Sequence, residues 1–104
     1  MASADDVLKE LEKTLEDLST FSGSIGESAR ESLSAIKINR DKIKSLIEEG
    51  LKEIDTKKRL EKIIQGLVEN IKLSEPNLSL KYLVLGLAIL EALITSKTVQ
   101  LQYT

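Results

Sequence analysis

The side chains that most often carry catalysis are missing from this 104-residue sequence, which has no histidine and no cysteine. Their absence excludes Ser-His-Asp and Cys-His catalysis, disulfides, thiolate metal sites and the Glu-x-x-His di-iron sites of helical bundles. The acidic pairs Asp5-Asp6 and Glu48-Glu49 diverge by about 100° on a helix, so neither pair converges on one ion. We therefore expect no enzymatic activity, no metal site and no cofactor.

Basic residues concentrate in the middle of the chain. Residues 1–31 have a net charge of -5, from three basic and eight acidic side chains, whereas residues 32–62 have +3, from nine basic and six acidic. The simplest explanation is an acidic helix beside a basic one, with local ion pairs that stabilise the helices by about 0.2 to 0.5 kcal/mol each.

The alternative explanation is a nucleic-acid surface, because a basic patch gains affinity by releasing the counterions of phosphates. Its residues would be Lys37, Arg40, Lys42, Lys44, Lys57, Lys58, Arg59 and Lys62. Acidic residues interleave with these, and no aromatic residue lies near them in the sequence to stack on bases. Nucleic-acid binding is therefore the second candidate function.

The composition favours a few long helices. Leucine and isoleucine carry most of the 41% hydrophobic share, and five glycines and one proline leave few places to turn. Lysine and glutamate dominate the charged residues, a bias reported for proteins of hot environments. The N-terminus shows no basic start followed by an apolar run, so we expect a cytoplasmic location.

Apolar residues spaced three and four apart predict four helices and a tail. Ser3 and Asp6 have the spacing of a capping box at the first start. Arg40 stands where the second apolar stripe requires a hydrophobic residue. Gly50 suits a C-terminal cap for that helix, although an alternative continues the helix through Ile54. The predicted helices are 4–21, 24–49, 52–73 and 77–96, and residues 97–104 form a frayed or extended tail.

The fourth predicted helix is apolar on every side, which is typical of a buried helix. Its uncharged run, residues 82–90, is much shorter than the roughly 20 residues that cross a bilayer, and Lys81 and Glu91 oppose insertion. We therefore expect a single all-α, antiparallel four-helix bundle in which this very apolar C-terminal helix packs centrally.

The same helix and the tail offer surfaces for a partner. The small residues Gly86, Ala88 and Ala92 would let another helix approach closely. In the tail, Val99, Leu101 and Tyr103 alternate with polar residues, a pattern that could add a strand to a partner's sheet. We expect a non-enzymatic interaction or scaffold module that binds a protein partner or forms a homodimer.

Overall fold

The computed structural model describes residues 2–100, and this part of the chain folds into five α-helices and contains no strand. The helices are α1 (Ala4–Ser19), α2 (Gly23–Ile38), α3 (Arg40–Leu51), α4 (Thr56–Asn70) and α5 (Leu78–Thr95). The Cα radius of gyration is 13.1 Å, the value expected for about 100 compactly folded residues. The all-α prediction is confirmed, but the four-helix count is wrong.

The start of α1 is the predicted capping box. The Ser3 side chain accepts from the Asp6 backbone N–H at 3.2 Å, and Asp6 Oδ2 accepts from the Ser3 N–H at 3.1 Å. These bonds satisfy two donors that a helix start leaves without partners, and the backbone bond from Ser3 lowers the pKa of Asp6. The helix ends two residues earlier than predicted, at Ser19.

The predicted second helix is two helices, which separate at Asn39 (φ -115°, ψ 35°). Arg40 begins α3, and its Nη2 atom lies 3.2 Å from Glu12 Oε1 and 3.8 Å from Asp5 Oδ1. Both carboxylates belong to α1, and the bond to Glu12 raises the pKa of Arg40. The charge that interrupts the apolar stripe therefore lies at the start of a separate helix, where Arg40 faces the acidic helix α1 instead of the core.

Gly50 is not the predicted cap but lies inside α3, which continues to Leu51. A Cβ atom at Gly50 would overlap Ile63 Cγ1 on α4, so the glycine lets the two helices approach closely. The next helix begins at Thr56 because Asp55 caps it, with Oδ2 accepting from the Lys58 N–H at 2.9 Å. Neither the predicted start at residue 52 nor the alternative continuation through Ile54 matches these bounds.

α5 packs against α1, α2 and α4. Its buried residues are Lys81, Val84, Leu85, Ala88, Ile89, Ala92 and Leu93. The remaining face is incompletely covered, so the predicted central position of this helix holds on one side only. After α5, Lys97 adopts a left-handed conformation (φ 61°), and the N–H groups of Thr98 and Val99 donate to the Leu93 carbonyl.

By length and composition alone, α5 could cross a membrane. Its 18 residues have a mean hydropathy of 1.8, and 39% of them are buried. The core helix of a soluble protein has the same properties. Here the buried face of α5 contributes to one continuous core with α1, α2, α3 and α4.

Candidate partner-binding surface

An apolar groove runs between α5 and the corner where α1 turns into α2. It encloses about 310 Å³ and is lined by Thr14, Leu18, Ile25, Val84, Leu87, Ala88 and Glu91. Its walls are almost entirely hydrocarbon, because Thr14 and Glu91 are the only polar residues among them. A groove of this kind suits the side chains of another apolar helix.

The α5 side of the groove exposes two leucines. Leu83 and Leu87 are 57% and 56% exposed, and their spacing of four residues places them on one face of the helix. Gly86 lies beside them, and a Cβ atom there would meet no other described atom within 4 Å. This face therefore combines two protruding side chains with a gap of open space.

Local packing fixes the opposite wall at the α1–α2 corner. Gly23 (φ 77°) takes a conformation that favours glycine, and a Cβ atom at Gly26 would overlap the Phe21 carbonyl. Arg30 Nη1 also donates to the Ser19 carbonyl at 2.7 Å. Ile25, which lines the groove, is exposed, and so is Phe21 at the same corner.

An ion pair between the buried Lys81 and the partly exposed Glu31 joins the start of α5 to α2. Lys81 Nζ lies 2.7 Å from Glu31 Oε2 and donates to the Ser74 carbonyl at 2.6 Å. Glu31 Oε1 accepts from the Ser74 backbone N–H and, at 2.7 Å, from the Ser74 hydroxyl. These donors, Lys81 first and the Ser74 N–H second, lower the pKa of Glu31 to about 2.

Tyr82 of α5 bonds to the segment that connects α4 to α5. Its hydroxyl donates to the Ile71 carbonyl at 2.9 Å and accepts from the Leu73 N–H at 3.3 Å. In the segment between α4 and α5, polar groups of Ile71, Leu73 and Ser74 are therefore bonded to α5 and α2.

The predicted partner residues do not form one surface. Gly86 lies on the open face of α5, whereas Ala88 and Ala92 belong to the core, although Ala88 also touches the floor of the groove. Val99 is buried because its N–H folds back onto Leu93, which leaves it unable to add to a partner's sheet in this conformation. The other two predicted residues, Leu101 and Tyr103, lie outside the described part of the chain.

The sequence pattern predicted burial for Leu83 and Leu87 with the rest of their helix and for Ile25 as part of the second apolar stripe, and it gave Phe21 no role. A helix that is apolar all round has no periodicity to show which face stays open. The one available signal was Gly86, a helix-destabilising residue between two leucines.

The predicted basic residues are divided between internal contacts and solvent. Arg40 pairs with α1, Lys62 Nζ lies 3.5 Å from Glu53 Oε1, and Arg59 donates to the carbonyls of Glu53 and Thr98. Lys37, Lys42, Lys57 and Lys58 are exposed, and Lys44 is half-buried. The two predicted segments thus do not present all eight charges to a nucleic acid, whose binding stays a prediction.

The described residues, 2 to 100, contain no cluster of three acidic side chains that could hold a metal ion. The chain matches no family model, no curated protein and no solved structure.

Proposed function

We propose that this protein is a non-enzymatic interaction or scaffold module that self-associates through the groove face, which we define as Phe21, Ile25, Leu83, Gly86 and Leu87. The observation that carries the proposal is the exposure of Leu83 and Leu87 beside an apolar groove. Large apolar side chains clustered on a surface mark interaction sites more often than isolated ones do.

A second copy is the expected partner, because the groove face carries both protruding side chains and an apolar recess. A two-fold dimer places the same patch on both partners, so each protruding feature must find a matching recess on the other copy. Here the leucines protrude, while Gly86 and the groove provide the recess. Two crossing α5 helices would place the leucines of one copy over the glycine of the other.

The expected affinity is modest. Each of the four large apolar side chains is roughly half exposed, and covering the remainder contributes about 1 kcal/mol per side chain. The two copies together gain about 8 kcal/mol, of which association costs about 4 kcal/mol or more. The net gain of about 4 kcal/mol corresponds to a dissociation constant on the order of 1 mM.

Sedimentation velocity over a concentration series that extends to about 5 mM tests the proposal, because the expected dissociation constant is on the order of 1 mM. The wild type should shift from monomer to dimer, and Leu87→Asp should abolish the shift. Ile54→Asp is the matched control, since Ile54 is 92% exposed but lies between α3 and α4, away from the groove. A wild type that stays monomeric throughout would refute self-association.

Gly86→Ala should change the stability of the monomer and the strength of dimerisation in opposite directions. In the monomer, the added methyl group meets open space and should stabilise α5 by about 0.5 to 1 kcal/mol. In the dimer, it should hold the helices apart and weaken association. A variant that is more stable and dimerises as well as the wild type would show that α5 helices do not cross at Gly86.

A further inference from the structure

We infer a second interaction surface, separate from the groove face, that binds an acidic protein segment carrying an aliphatic anchor. Its centre is Ile38, which lies at the end of α2 and is 77% exposed. Around it stand Arg30, Lys37, Lys42 and Lys72. We call these five residues the Ile38 surface.

The five residues are neighbours in space. Ile38 lines three adjoining open grooves: one with Arg30 and Lys37, one with Lys37 and Lys42, and one with Lys42 and Lys72. Leu33 and Ala35 add apolar walls to two of these grooves. Each of the three grooves thus combines the aliphatic side chain of Ile38 with two of the four basic residues.

This surface offers a partner the charges of Lys37, Lys42 and Lys72, whereas the Arg30 guanidinium already donates to the Ser19 carbonyl at 2.7 Å. None of its four basic side chains joins an ion pair with another residue in the range 2–100, in contrast to Arg40 and Lys62. Asp41 is the single acidic residue among those that line the three grooves. The local excess of positive charge therefore favours a partner with several carboxylates.

The apolar centre favours a protein over a nucleic acid. A phosphate backbone gains nothing by covering Ile38, and the lining residues include no aromatic side chain for a base to stack on. A peptide with aliphatic side chains among Asp and Glu would use both features, with the apolar contact in the middle and the charges at the rim.

This surface is independent of the proposed dimer. Ile25, in the groove face, and Ile38 lie near opposite ends of α2, separated by 13 residues or about 20 Å along the helix. A dimer formed through the groove face would leave the Ile38 surface open on each copy. The protein could then hold two acidic partners at once, which suits a scaffold.

Fluorescence anisotropy with two labelled peptides tests the inference at low salt. The first is a 12-residue helical peptide of glutamate and glutamine with two leucines four positions apart, and the second has serines in place of the leucines. A single-stranded DNA 12-mer is the third probe. We expect the leucine peptide to bind at least about fivefold more tightly than the other two probes, with affinity that falls as salt is added.

Two variants assign the binding to this surface. The triple variant Lys37→Glu, Lys42→Glu, Lys72→Glu should abolish binding, and Ile38→Ser should weaken it to the level of the serine peptide. The matched control reverses three exposed lysines elsewhere, Lys13→Glu, Lys57→Glu and Lys58→Glu, and should retain binding.

Three outcomes with the wild-type protein would overturn the inference. They are no binding of the leucine peptide at low salt, equal binding of the serine peptide, or tighter binding of the DNA. Equal loss of binding in both triple variants would also overturn it, because only the overall charge would then matter.

Discussion

Lys81 and Glu31 form the most deeply placed ion pair of the described structure, with 2.7 Å between Nζ and Oε2 and only 4% of the lysine side chain exposed. The two residues are fifty positions apart in the sequence. Their contact joins the first turn of α5 to the middle of α2, and it explains how a charged residue is accommodated on the buried face of the most apolar helix. The Ser74 carbonyl and hydroxyl complete the environment of the ammonium group.

Glu31 should make stability fall in acid. Its pKa is about 2 in the folded protein and near 4.5 in the unfolded chain. A lowered folded-state pKa contributes stability above the unfolded value, and that contribution is lost as pH falls from about 5 through about 2. Urea unfolding of Glu31→Gln should therefore differ most from the wild type near neutral pH and progressively less toward pH 2. Glu61→Gln, an exposed control on α4, should show no such convergence.

Replacing Lys81 by methionine should destabilise the protein by about 2 kcal/mol, because Glu31 loses its principal partner. The loss is smaller than for a fully enclosed pair, since about a quarter of the Glu31 side chain is exposed to water. In a double-mutant cycle, Lys81→Met should cost clearly less in a Glu31→Gln background. Additive effects would mean that the two side chains do not stabilise each other.

Gly50→Ala and Gly66→Ala should have opposite effects. A methyl group at Gly50 overlaps the buried Ile63 side chain, and we expect a net loss of about 1 to 2 kcal/mol. At Gly66 the nearest described atom, Leu46 Cδ2, is 4.0 Å from the added carbon, so the better helix propensity of alanine should stabilise α4 by about 0.5 to 1 kcal/mol. Thermal unfolding measures both, and a stabilised Gly50→Ala would contradict the close approach of α3 and α4.

Lys97→Gly should stabilise the protein by about 0.5 to 1 kcal/mol, because Lys97 has a φ of 61° at the end of α5. Glycine adopts that conformation without strain and preserves the bonds that Thr98 and Val99 donate to Leu93. Thr95→Gly, two residues earlier and still helical, should destabilise by a similar amount. Chemical denaturation of the pair would reveal the opposite signs.

The amino-acid sequence by itself determined that the chain is helical and where α1 begins. The spacing of Leu8, Leu11 and Leu15 predicted the buried stripe of α1, and Ser3 with Asp6 predicted its capping box. Both signals are local, because residues three and four apart share a helix face and a cap bonds within one turn. The all-α class followed from the same kind of pattern.

Only the tertiary structure decided how the segments meet. The apolar stripe resumes at Ile43 after the interruption at Arg40, so its period did not show that α2 ends at Ile38 and that Arg40 contacts α1. The sequence predicted Gly50 as a helix cap, whereas the structure places Ile63 of α4 against it. Leu83 and Leu87 were predicted to be buried, because no hydrophobic period distinguishes the faces of α5, and both are exposed. Contacts between distant residues depend on which helices pack together. The residue pattern of a single helix shows which face is apolar but does not identify the helix that covers this face.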